Sequence, residues 1–131
     1  MAPTIATIKL KQYPEALADY TKAIEINPRY ALAFYNRGLV RQELKQHSEA
    51  LADYTKAIEI NPQYALAYYQ RGLVRYELKD KRGAIEDLQR VTEILPTTAQ
   101  LFSDLGRMDD YQKARDILRK AQKMLKQLQS Q

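Results

Sequence analysis

Cysteine is absent from this 131-residue chain, which excludes disulfides, zinc–thiolate sites and cysteine nucleophiles together. No apolar run approaches the roughly 18 residues of a membrane-spanning helix. The N-terminal stretch Met1–Lys11 has no continuous apolar segment, so no secretory signal is expected and a cytoplasmic protein is. Histidine occurs once, as His47, read here as a loop residue facing solvent or packing. There is no Gly-rich phosphate loop, no His cluster at metal-ligand spacing and no Ser-His-Asp set. Glu43, Glu77 and Asp80 read as helix-surface charges. No enzyme, metal or cofactor is therefore expected.

What is present is ordinary in bulk and unusual in order. At 45% apolar and 28% charged residues, the chain can bury a core as one domain. The net charge of +5 is uneven: residues 1–106 hold 14 basic and 13 acidic side chains, residues 107–131 hold 7 and 3. An electrostatic function belongs to the C-terminal segment.

Self-similarity settles the architecture. Residues 16–35 read ALADYTKAIEINPRYALAFY and residues 50–69 read ALADYTKAIEINPQYALAYY, differing only at Arg29/Gln63 and Phe34/Tyr68. Pro28, Pro62 and Pro96 stand 34 apart, as do Gly38, Gly72 and Gly106, and Ala16, Ala50 and Ala84. Within a period, Phe34, Leu39, Val40 and Leu44 follow helical spacing over 31–44, a polar break covers 45–48, and Ala50, Leu51, Tyr54, Ala57 and Ile58 form the stripe of a second helix. Asn-Pro at 27–28 and 61–62 closes each period, because proline lacks the amide a continuing helix needs and pushes its predecessor out of helical geometry. The small Gly38, Ala50 and Ala57 allow close approach of helix backbones.

The pattern Ala-x-Ala-aromatic at 31–34, Gly38, Ala50, Tyr54, Ala57 and Pro62, recurring as 65–68, Gly72, Ala84, Leu88, Val91 and Pro96, resembles the tetratricopeptide repeat (TPR). The manner of the sequence resembles bacterial repeat proteins. The resemblance implies an all-α fold, a right-handed superhelical stack of antiparallel helix pairs with a long C-terminal capping helix. Residues 1–131 then form a single domain: 1–30 a partial first repeat, 31–64 the second, 65–98 the third, and 99–131 a shortened fourth unit with the C-terminal helix. Only 5–10 remain for the first helix of the first repeat, whose second helix is 13–26. The spacing Gly106 to Ala114 is 8 where the earlier repeats have 12, so four residues, about one helical turn, are expected to be missing there.

The resemblance further implies a protein-interaction scaffold or adaptor whose first helices line a concave groove holding a peptide or partner helix. Carried over by position, the groove includes Leu32, Tyr35, Asn36, Leu39 and Gln42. The next repeat adds Leu66, Tyr69, Gln70, Leu73 and Tyr76. Rings and amides suit an extended backbone. The carboxylate clamp by which some members hold chaperone C-termini is not expected: its positions fall at Met1, Ile5, Asn36, Leu66 and Gln70, and only Asn36 matches. Arg37, Arg41, Arg71 and Arg75 replace the apolar residues usual in the family, and each pair shares a helical face. Inter-repeat ion pairs Asp19–Arg37 and Asp53–Arg71 are expected, with an anionic-ligand site as the alternative.

From Asp110 onward a long helix is expected, with Tyr111, Ala114, Leu118, Ala121, Leu125 and Leu128 on one stripe, widened by Ile117 and Met124. Its first role is to cap the last repeat. An alternative function is self-association into a homo-oligomer through exposed end faces, where a truncated first repeat leaves Leu17 and Ile24 partly uncovered. Third comes nucleic-acid binding through Lys113, Arg115, Arg119, Lys120, Lys123 and Lys126, a run interrupted by Asp109, Asp110 and Asp116. The near-identity of two repeats fits recent duplication or a consensus-built sequence.

Overall fold

The computed structural model describes residues 5–131, with side chains described from Gln12 onward. Met1, the first clamp position, lies outside the described residues, as do the side chains of the Met1–Lys11 stretch. Among the described residues there are six helices and no strand: α1 (Ile5–Ile26), α2 (Ala31–Glu43), α3 (His47–Ile60), α4 (Ala65–Glu77), α5 (Lys81–Asp104) and α6 (Met108–Gln129). They form two compact units, Met1–Pro62 and Gln63–Gln131. In the N-terminal unit α2 packs on α1 and α3; in the C-terminal unit α5 packs on α4 and α6.

The period of 34 predicts α2, α3 and α4 closely; in α2 the buried residues are Ala33, Phe34, Tyr35 and Gly38, while Leu39, Val40 and Leu44 of the expected stripe are half-buried. Ala50, Tyr54 and Ala57 of α3 are fully buried. In the C-terminal unit Ala84, Leu88, Val91, Leu95 and Ala99 share one core with Ala114, Leu118, Ala121 and Leu128 of α6. The last helix thus caps the third repeat as expected, beginning two residues earlier than Asp110.

Three boundaries differ from the sequence reading. First, α1 is a single helix running through Pro14, not a remnant at 5–10 followed by a helix at 13–26. Second, α5 runs through Pro96, so no break separates the third repeat from the fourth at 98/99. At 27–28 the Asn27 side-chain oxygen accepts the Arg29 N–H at 3.1 Å, an Asx turn that holds the chain out of helical geometry. Position 95 is a buried leucine that cannot do this. Burial of Ile94, Leu95 and Ala99 outweighs the one backbone hydrogen bond that Pro96 forgoes.

The third difference concerns Gly106. Gly38 and Gly72 are buried within α2 and α4, but Gly106 sits in the α5–α6 turn with φ +71°. Its counterparts are Lys45 and Lys79, at φ 61° and 67°. The three turns share one hydrogen-bond pattern: Gln46 N–H to Arg41 C=O, Asp80 to Arg75 and Arg107 to Phe102, each at 2.8 Å. This is a Schellman closure, whose C′ residue is left-handed. Aligned on the turns, Leu105 follows Leu78 by 27 residues where Leu78 follows Leu44 by 34. Seven residues are missing, and they are missing before the turn, not between Gly106 and Ala114. Because a left-handed residue with a Cβ costs roughly 1–2 kcal/mol, Lys45→Gly is expected to raise stability and Gly106→Ala to lower it. Each change is about 1 kcal/mol, discounted for the greater freedom of glycine when unfolded. Urea midpoints of the two variants check this; a fall for Lys45→Gly would count against it.

Candidate functional site

The arginines at 37, 41, 71 and 75 stand one turn apart on α2 and α4, and each pair converges on one carboxylate. Arg37 Nε and Nη2 reach the two oxygens of Asp53 at 3.0 and 2.8 Å, and Arg41 Nη1 joins at 3.0 Å. Arg71 and Arg75 hold Asp87 in the same way, at 2.9, 2.8 and 3.0 Å. Both aspartates are 2% exposed. The guanidinium groups also lie over rings, Arg37 over Phe34 at 5.5 Å and Arg71 over Tyr68 at 5.6 Å.

The expected inter-repeat pairs are thereby corrected. The partner of Arg37 lies 16 residues after it, in its own repeat, and Asp53 is taken up by Arg37 and Arg41. Asp19 is exposed, while Thr21, two residues further along α1, accepts from Arg37 Nη1 at 3.2 Å. Two residues turn a helix by more than half a circle, so Thr21 reaches Arg37 while Asp19 borders the cavity beside Leu32 and Asn36. These bidentate forks are structural, and an anionic-ligand site is not needed to explain them.

Of the groove residues expected in the N-terminal unit, Leu32 is 49% exposed and Asn36 and Leu39 are half-buried. Leu32 and Asn36 line an open cavity of about 250 Å³ with Tyr20, Tyr30 and Asp19. Tyr35 does not belong to an open surface. It is 7% exposed, with its ring 5.8 Å from that of Tyr54. Gln42 is also committed, since its side-chain oxygen accepts the Tyr54 hydroxyl. Burial, chiefly, and the neighbouring Tyr35, Asp53 and Glu43 push the Tyr54 phenol far above its usual range. Tyr20 and Tyr30 were missed because they precede the helix that carries the motif.

In the C-terminal unit Leu66, Tyr69, Gln70 and Leu73 are half-buried. Tyr69 packs against the core, and burial raises its phenol pKa. Tyr76 is 43% exposed. Its counterpart one period earlier is Gln42, held by the Tyr54 hydroxyl; at position 88 leucine replaces that tyrosine, and no buried hydroxyl claims the side chain above it. Tyr76 lines two adjoining cavities of about 260 and 270 Å³ that share Leu128 and Gln131. Lys120, Lys123 and Met124 of α6 border the first, and Lys79, Lys81 and Glu77 the second. The sequence reading assigned the α6 lysines to nucleic acid and did not bring them to Tyr76, because only the packing of α6 along α5 makes them neighbours.

His47 is the first residue of α3, not a loop residue; its Nδ1 is buried without a hydrogen-bond partner. Among the described residues no group of three or more His, Asp or Glu is placed to hold a metal. No described helix is long and apolar enough to cross a membrane.

Models described as tetratricopeptide repeat match residues 31–64 and 66–98, and one described as TPR repeat matches residues 6–45. No curated protein matches the chain in sequence. Among solved structures, the first TPR of Spaghetti (RPAP3) bound to the HSP90 peptide SRMEEVD is 29% identical, with a TM-score of 0.66 over 90% of this chain and 83% of that one. The Arabidopsis OM64 TPR domain is 28% identical, with a TM-score of 0.65 over 90% and 87%. PcrH in complex with the chaperone binding region of PopD has a TM-score of 0.76 over 94% and 86%, at 14% identity, a likeness of fold alone.

Proposed function

The chain belongs to the tetratricopeptide repeat family, and we propose that it is a protein-interaction scaffold holding an extended peptide or partner helix on its first-helix side chains. The observation that carries this reading is that each unit has an exposed apolar first-helix residue in an open cavity, Leu32 in one and Tyr76 in the other. Leu32, Asn36 and Leu39 serve the N-terminal unit; Leu66, Gln70, Leu73 and Tyr76 serve the C-terminal one. Tyr35, Gln42 and Tyr69 act by holding those elements in place. That the Spaghetti domain of similar fold is bound to an HSP90 peptide supports the class of ligand. The clamp positions do not support the same mode of grip. A cytoplasmic location is part of the proposal.

The test is affinity capture from a host lysate with the parent chain and with a Leu32→Ser, Asn36→Ala, Gln70→Ala, Tyr76→Ala variant whose helicity is verified. A partner held by the parent and weakened at least about tenfold in the variant, roughly 1.4 kcal/mol, is the expected result. The same proteins retained by both would overturn it.

Self-association is a second reading, favoured by the exposed Leu101, Leu105 and Met108 around the α5–α6 turn. A mass in sedimentation that rises with concentration, and ceases to rise in Leu105→Asp, is its signature. Nucleic-acid binding ranks below both, since Asp110 and Asp116 engage Arg107 and Arg119 along the same helix.

A further inference from the structure

The C-terminal unit carries a site that neither the repeat pattern nor the first helices define: the depression between Tyr76 and the C-terminal half of α6. Lys120, Lys123, Met124, Gln127, Leu128 and Gln131 recur at helical spacing, and all of them line one cavity with Tyr76. The adjoining cavity adds Lys79 and Lys81, with Glu77 as its one acidic side chain and the last residue, Gln131, on its edge. Four ammonium groups thus border a floor made by a tyrosine ring, the thioether of Met124 and the aliphatic Leu128. The Lys81 ammonium donates to a main-chain oxygen of the last residue, Gln131, at 3.3 Å, which ties the residues after α6 to the start of α5.

We propose that this depression binds an acidic extended peptide segment, with an apolar side chain seated between Tyr76 and Met124 and carboxylates facing the lysine rim. Charge complementarity selects the occupant: the excess positive charge of the chain lies in residues 107–131, and two of its lysines meet two from the α4–α5 turn here. Lysine heads are mobile point charges without the forked geometry of arginine, so they accept acids at varied spacing and leave sequence choice to the apolar seat. A polynucleotide is the poorer fit, because stacking on successive bases calls for several exposed rings and this rim offers one. The N-terminal unit lacks the site: Gln42 stands where Tyr76 does and is held by Tyr54, and His47 stands where Lys81 does.

The inference rests on the peptide-holding reading and deepens it. The full chain, isotope-labelled for NMR, is titrated with two synthetic ten-residue peptides, one with four glutamates around a single leucine and one with glutamines in their place. The acidic peptide is expected to bind at least about tenfold more tightly at low salt, with shift changes concentrated at Tyr76, Lys120, Lys123 and Met124. Lys120→Gln/Lys123→Gln, both exposed and away from the core, is expected to remove that preference, and Tyr76→Ala to weaken both leucine-bearing peptides. Equal affinities for the two peptides, or no shift changes at those four residues, would overturn the site. So would a single-stranded oligonucleotide that occupies it more tightly than the acidic peptide. Shift changes confined to Leu32 and Asn36 would leave the broader peptide-holding reading standing while this site fell.

Discussion

Asp87→Ala is expected to cost about 3–5 kcal/mol of unfolding free energy, the range for removing one member of a buried ion pair. The carboxylate is 2% exposed and takes three hydrogen bonds from Arg71 and Arg75, whose side chains are themselves only 13% and 26% exposed. Without it two guanidinium groups face each other across a void too enclosed for free hydration, and their mutual repulsion adds to their desolvation. The equivalent Asp53→Ala acts on Arg37 and Arg41 in the same manner. Surface pairs such as Arg82–Glu86 at 3.5 Å set the contrast, because exposed ion pairs contribute at most about 1 kcal/mol. Chemical denaturation of Asp87→Ala beside Glu86→Ala decides the matter: a loss below about 1 kcal/mol for the first would mean that the forks are not what orders the helix pairs. Asp87→Leu combined with Arg71→Met and Arg75→Met should recover much of the loss, since an apolar replacement of the whole cluster leaves no buried charge unpaired.

Gly38→Ala is expected to destabilise by about 2 kcal/mol while Gly72→Ala, at the same place one period later, changes stability by less than about 1 kcal/mol. A Cβ at position 38 would lie 2.7 Å from Tyr54 Cε1 and 2.9 Å from its Cδ1. The ring has no room to retreat: it is fully buried, and its hydroxyl is tied to Gln42. At position 72 the nearest atom is Asp87 Cβ at 3.3 Å, followed by Leu88 Cγ at 3.5 Å, so a shift of a few tenths of an ångström suffices. There the gain in helix propensity, about 1 kcal/mol on replacing glycine by alanine, offsets the strain. Tyr54→Leu should rescue Gly38→Ala, because it reproduces the leucine of the later repeat. A double-mutant cycle reads the coupling directly; additive losses would show that the ring is not the obstacle.

The residues at 54 and 88 also explain why two almost identical repeats offer different surfaces. Tyrosine at 54 fills the space beneath α2, excludes a side chain at 38 and engages Gln42. Leucine at 88 does none of these, and Tyr76 is left exposed beside α6. A difference in surface between the repeats therefore follows from one core substitution together with the exchanges Gln42/Tyr76 and His47/Lys81.

What the sequence determined by itself was the local and the periodic. The 34-residue spacing, the helical stripes and the Asn-Pro breaks at 27–28 and 61–62 suffice to place α2, α3 and α4 and to show α6 as a capping helix. Each of these depends on residues within a few turns of one another. Tertiary structure decided the rest. The arginine faces were legible at i, i+4, but two aspartates lay at similar separations on opposite sides in sequence, and only packing chose the one in the same repeat. Pro96 looked like Pro62 by spacing, yet the helix continues because leucine precedes it and α6 buries both sides of it. Gly106 matched Gly38 and Gly72 by count and Lys45 and Lys79 by conformation, since a shortened helix had changed the register before the turn. The lysines Lys120 and Lys123 of α6 reached Tyr76 from more than forty residues further along the chain. Periodicity records which way a side chain points on its own helix; what fills the space in front of it is set by the volumes and charges that distant segments bring there.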